Sequence, residues 1–186
     1  MKKVLLAMAV SFISIAGFSQ ERQAGSELSI GLEGGLPLNG WKVNDEIGKF
    51  SNFGVGATAK YAYNFDESIA ATLQSGYIYF FGKNLQGTGV KVKTSQIPVK
   101  AGIRFSMGKF YAEPQLGVSF LHQSLSAPVT EFDGISGSTS AFTYAGNIGV
   151  MASQNFDISL RYEGFSKDGN AGFLGLRLAY TFPLGK

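Results

Sequence analysis

Apolar and small or polar residues alternate at a period of two through eight separate stretches of this chain. That is the period of a strand with two unlike faces. The first stretch sets Leu28, Ile30, Leu32, Gly34 and Leu36 against Ser29, Gly31, Glu33 and Gly35. The others run over residues 53–65, 69–81, 96–107, 110–120, 142–150, 156–163 and 174–182. The seventh is slightly short of the roughly 9–11 residues that a tilted strand needs to cross a bilayer. Three tight turns are predicted: Phe65-Asp66-Glu67, Gly108-Lys109 (of the Gly-X type II′ form) and Ser153-Gln154-Asn155. Longer connections, Leu38–Asn52, Gly82–Lys93 and His122–Ser140, alternate with them, and Ser166–Ala171 is shorter. The expected fold is all-β: an eight-stranded antiparallel up-and-down barrel, closed so that no strand edge is left unpaired. Pro98 and Pro114 fall inside strands without changing the phase, so each is expected to leave a local bend or a missing hydrogen bond.

Residue size decides which face points inward. A soluble lipocalin-like barrel also alternates, with its apolar face inside. Here the polar face is rich in Gly, Ala and Ser, which suits the narrow interior of eight strands rather than a solvated exterior. The apolar face also carries aromatics near its ends. Tyr63, Phe65, Phe105, Phe110, Phe156, Tyr180 and Phe182 mark one rim; Phe53, Tyr79, Phe81, Phe120 and Phe142 mark the other. Such girdles belong at lipid–water interfaces, so the expectation is a transmembrane barrel of the outer-membrane type. Short turns and both chain ends would face the periplasm, and the longer loops the exterior.

Composition supports this. The 186 residues suffice for one domain, and only 16% are charged. No apolar run is long enough for a spanning helix. Lys2-Lys3, the apolar segment Val4–Ala16 and Gly17-Phe18-Ser19 read as a secretory signal peptide over residues 1–19, leaving a barrel domain over 20–186. The absence of cysteine excludes disulfides, thiol catalysis and a lipobox anchor. A scattered net charge of +3 gives no basis for nucleic-acid binding. No metal or cofactor is expected. There is one histidine, there is no EF-hand spacing, and Gly34-Gly35 and Gly54-Val55-Gly56 lack the context of a phosphate loop.

The residues resemble the small outer-membrane barrels of the OmpA/OmpX-like and PorT-like kind, common in Bacteroidetes. The likeness is most specific at Ser95-Gln96-Ile97-Pro98-Val99-Lys100, Gly102-Ile103-Arg104-Phe105 and the turn into Phe110-Tyr111. The last strand, Gly175–Phe182, looks like the terminal signal that such barrels present to the assembly machinery. It departs in Arg177, where glycine is frequent, and in the trailing Pro183–Lys186. The resemblance implies an outer-membrane location and contact with membrane lipid and lipopolysaccharide; the barrel is expected, by default, to be a monomer.

Candidate chemistry falls in three places. Charges of both signs, Glu33, Lys60, Lys100, Arg104, Glu113, Asp157, Arg161, Glu163 and Arg177, share the inward face. They are expected to neutralise one another and plug the lumen, with Arg104 across from Glu113. A narrow solute path is the alternative. His122-Gln123-Ser124, at the outer end of strand five in lipid-facing phase, is similar to the His-x-Ser pair of lipid A deacylases. No carboxylate stands on the adjacent lipid face to orient the imidazole, so no enzyme is expected. The loops carry Trp41 and Phe132 as candidate contacts for an extracellular ligand, although Trp41 also suits an interfacial anchor. The leading function is structural or adhesive, followed by passive transport and then lipid A modification.

Overall fold

The computed structural model describes residues 24–38, 51–82, 91–126, 136–166 and 170–185. Eight strands follow one another in chain order: β1 (Gly25–Pro37), β2 (Ser51–Asn64), β3 (Ile69–Gly82) and β4 (Lys91–Met107), then β5 (Phe110–Ser126), β6 (Ser136–Met151), β7 (Phe156–Ser166) and β8 (Asn170–Gly185). Each pairs antiparallel with its neighbours, and β1 pairs with β8 to close the barrel. Following paired residues once around from Ser166, through Phe142, Val118, Val99, Ser75, Ala59, Ile30 and Tyr180, lands on Phe156. That is ten residues back along the same strand. This stagger tilts the strands and brings residues distant in the chain to one height in the lumen.

The period-two pattern sorts residues by side. Leu32, Leu73, Leu116, Ile148 and Leu176 are exposed outward, whereas Ser29, Gln74, Thr143 and Arg177 are buried inside. The aromatics of both expected rims lie on the outer face: Tyr63, Phe110 and Tyr180 toward the turns, Phe53, Phe120 and Phe142 toward the loops. The interior accommodates its large side chains only beside small ones. A Cβ on Gly149 would lie 2.5 Å from the Tyr111 hydroxyl oxygen, and one on Gly54 2.5 Å from Cδ1 of Phe80.

One end of the barrel gathers the tight turns. Asp66 Oδ1 accepts the backbone N–H groups of Ser68 (2.7 Å) and Ile69 (2.8 Å), which fixes the β2–β3 turn. Met107 pairs with Phe110 around a two-residue turn whose Gly108 has φ 61°, a conformation that glycine adopts without a Cβ clash. Ala152 N–H donates to the Phe156 carbonyl at 2.8 Å. At both internal prolines the register is kept while pairs are lost. The β3–β4 ladder skips Gly76 and Tyr77 opposite Pro98 and Ile97, and the β4–β5 ladder skips Ile103 and Arg104 opposite Pro114 and Glu113.

The loop end differs from the sequence reading. β7 continues to Ser166 and is not short; β5 reaches Ser126 and β6 begins at Ser136, so much of the expected 122–140 loop is strand. Hydroxyl- and glycine-rich residues there lack the apolar alternation that marks a strand inside lipid, yet they extend the ladder above it.

Candidate functional site

The lumen is built from inward residues of all eight strands. The nine charged residues expected there are all buried. A tenth, Glu27, joins them with its side chain 13% exposed. Glu27 shares the phase of Ser29 and Glu33, and a strand begun one residue earlier, at Glu27, would have included it. With it, five carboxylates face five cations, and the interior is neutral. Neutrality matters because an unpaired buried charge costs several kcal/mol.

The charges form two chains of the same design at different heights. Toward the turn end, Glu113 Oε2 accepts from Lys60 Nζ (3.0 Å) and Arg104 Nε (3.2 Å). Its Oε1 accepts from Thr72 Oγ1 (2.9 Å) and Gln115 Nε2 (2.6 Å). Arg104 Nη1 reaches on to Glu27 at 2.5 Å. Toward the loop end, Glu163 Oε2 is ion-paired with Lys100 Nζ and with Arg161 Nε (3.2 Å). Its Oε1 accepts from Gln96 Nε2 (2.5 Å) and Thr143 Oγ1 (3.4 Å). Arg161 Nη2 reaches on to Glu33. Each tier therefore reads acid, arginine, acid, lysine, with the first acid on β1 and a threonine and a glutamine on the central carboxylate.

A third group links the lower tier to the seam between β8 and β1. The Tyr111 hydroxyl donates to Asp157 Oδ1 at 2.8 Å, and its ring lies beneath Lys60 Nζ and the Arg104 guanidinium, 5.5 and 5.1 Å from its centroid. Arg177 bonds Asp157 (3.3 Å) on β7, Ser29 Oγ (2.9 Å) on β1 and Thr58 Oγ1 (2.8 Å) on β2. The arginine that departs from the resembled pattern thus ties the last strand to three others.

Above the outer tier lies an apolar layer absent from the sequence reading: Ile78, Phe80, Ala141, Phe165 and Phe173. Phe80 meets Phe173 edge-on at 5.3 Å, and Phe165 stacks on Phe173 at 6.1 Å. The Arg161 guanidinium lies 5.3 Å from the Phe173 centroid, which couples the layer to the ions below. Its signal was hidden because Tyr79-Phe80-Phe81 is apolar on both faces.

His122 is exposed on β5, and its Nδ1 is hydrogen-bonded to Ser138 Oγ on β6 at 2.9 Å, not to Ser124. Among the described residues no carboxylate bonds its ring. Trp41, Phe132 and the expected signal peptide lie outside the described residues.

Several solved structures of small outer-membrane barrels share this fold. The attachment invasion locus protein Ail of Yersinia pestis matches at 19% identity with a TM-score of 0.63, over 87% of this chain and 100% of its own. The N-terminal β-barrel domain of Pseudomonas aeruginosa OprF matches at 12% identity and TM-score 0.56, covering 86% and 100%. Neisserial surface protein A matches at 13% and 0.53, covering 86% and 98%. No curated protein sequence matches the chain. Residues 9–182 match the profile of the outer membrane protein beta-barrel domain, and the chain belongs to that family.

Proposed function

We propose that this protein is a non-conducting outer-membrane anchor that presents its loop end to the exterior, in a structural or adhesive role. The observation that carries the reading is the stacking of two neutral four-residue ion chains beneath an aromatic layer. A solute would have to separate desolvated ion pairs and displace Phe80 and Phe173. That leaves the loops as the surface through which the protein acts, and Trp41 and Phe132 as its candidate contacts. The protein is read as a monomer, secreted by its N-terminal signal and inserted by the barrel assembly machinery.

Passive transport is the second reading, favoured by one feature: Arg161 is ion-paired to Glu33 and to Glu163 without hydrogen-bond alignment. A lipid A-modifying enzyme comes third, because His122 engages Ser138 with no carboxylate bonded to its ring among the described residues. The test is reconstitution of the folded barrel in planar bilayers. No steady steps in current are expected, and reproducible single-channel conductance overturns the plugged lumen. Lipid profiles unchanged by His122→Ala would exclude the enzyme.

A further inference from the structure

The outward faces of β4, β5 and β6 change character at one height. On β5, apolar outward residues run from Phe110 to Phe120. Ten steps of about 3.3 Å, tilted about 40°, span about 25 Å, the height of the apolar band of such barrels. The next outward residue is His122. On β4 the change falls between Ile97 and Ser95, and on β6 between Phe142 and Ser140. The register sets Ser95, His122 and Ser138 side by side in one row, with Lys93, Ser124 and Ser136 in the row above. Each row crosses three strands, about 10 Å.

This patch faces sideways, along the bilayer, and sits directly above the girdle residues Phe120 and Phe142. Among the described residues, the exposed charged side chains are Asp66 and Glu67 at the turn end and Lys93 at the loop end. The patch itself therefore has, in Lys93 and its serines, a charge and hydroxyl donors that suit an anionic headgroup. Because Nδ1 of His122 is held by Ser138, Nε2 is the ring nitrogen left for a ligand. We infer that Lys93, His122 and the flanking serines bind the phosphate of a phosphorylated glycolipid of the lipid A type, seated in the outer leaflet against the β4–β6 wall. A phosphate, being anionic, accepts charge-assisted hydrogen bonds from an ammonium group and from hydroxyls alike. The inference rests on the proposed outer-membrane location with the loop end outward.

The experiment uses the full mature chain folded in detergent and incubated with lipid A, with dephosphorylated lipid A and with phosphatidylglycerol. Retained lipid is measured by native mass spectrometry for the wild type and for Lys93→Ala/His122→Ala. The wild type is expected to retain phosphorylated lipid A about tenfold more than the double variant or than dephosphorylated lipid A. Equal retention by wild type and variant overturns the site. Equal displacement by phosphatidylglycerol overturns the glycolipid as its occupant. A heat-shifted gel band from fractionated cells tests the underlying reading separately. A folded outer-membrane barrel that retains no lipid A removes this site alone, whereas a soluble protein with no heat shift removes both.

Discussion

The two ion chains of the lumen share one composition and one wiring, yet they are not equally bonded. In the inner tier no buried atom of a charged group lacks a hydrogen bond, and Glu113 accepts from four donors. In the outer tier both Glu33 oxygens and Nε, Nη1 and Nη2 of Arg161 lack one, although the ion-pair distances are short. Charge balance decides which residues pair, and hydrogen-bond geometry decides how firmly they are held. The inner tier is a fastened base, tied further by Tyr111, Asp157 and Arg177. The outer tier leans on Coulomb attraction and on the ring of Phe173.

The largest effect expected from breaking this arrangement is at the two central carboxylates. Glu113→Gln leaves Lys60 and Arg104 without their shared anion and is expected to cost about 3–5 kcal/mol. Glu163→Gln is expected to cost about 1–2 kcal/mol less, because one of its two cations is poorly aligned. The folded fraction against urea in phosphatidylcholine vesicles, read from the heat-shifted gel band, measures both. Equal losses would erase the distinction between the tiers.

Next in size is Phe173→Ala, which strips the cover from the outer tier alone and should cost about 3 kcal/mol. Combined with Glu163→Gln, its effect should be non-additive; combined with Glu113→Gln, it should add. A double-mutant cycle showing equal coupling to both carboxylates would mean that the column unfolds as one undivided unit.

The smallest effects separate the two β1 acids. Glu33→Gln removes a fully buried partner of Arg161, and about 2 kcal/mol is expected. Glu27→Gln acts where water reaches the pair, and about 1 kcal/mol or less is expected. The same urea titration ranks them. A larger loss at Glu27 would mean that its partial exposure does not weaken its pair with Arg104.

Most of the barrel was legible because a strand writes its two faces into every second residue. Arg104 and Glu113 could be matched from the sequence, since a two-residue turn fixes the register of residues close to it. Lys60 could not be assigned to Glu113, nor Lys100 to Glu163, because those strands are not neighbours and the pairs meet only across a closed lumen. Glu27 and the apolar layer were missed for a different reason. Glu27, Ala141, Phe165 and Phe173 lie just beyond the alternating stretches, and Ile78 and Phe80 fall where the third stretch is apolar on both faces.

The sequence alone determined the number of strands, their phase, the side that faces outward and nine of the ten charges turned inward, because these follow from a local period and from residue size. Only the tertiary structure decided which charges share an oxygen, that they divide into two like chains, and that phenylalanines cover the upper one. Those outcomes depend on closure and on the ten-residue stagger, which bring side chains 53 and 63 positions apart to one height. No local pattern in the chain encodes that displacement, since it is a property of the whole ring of strands.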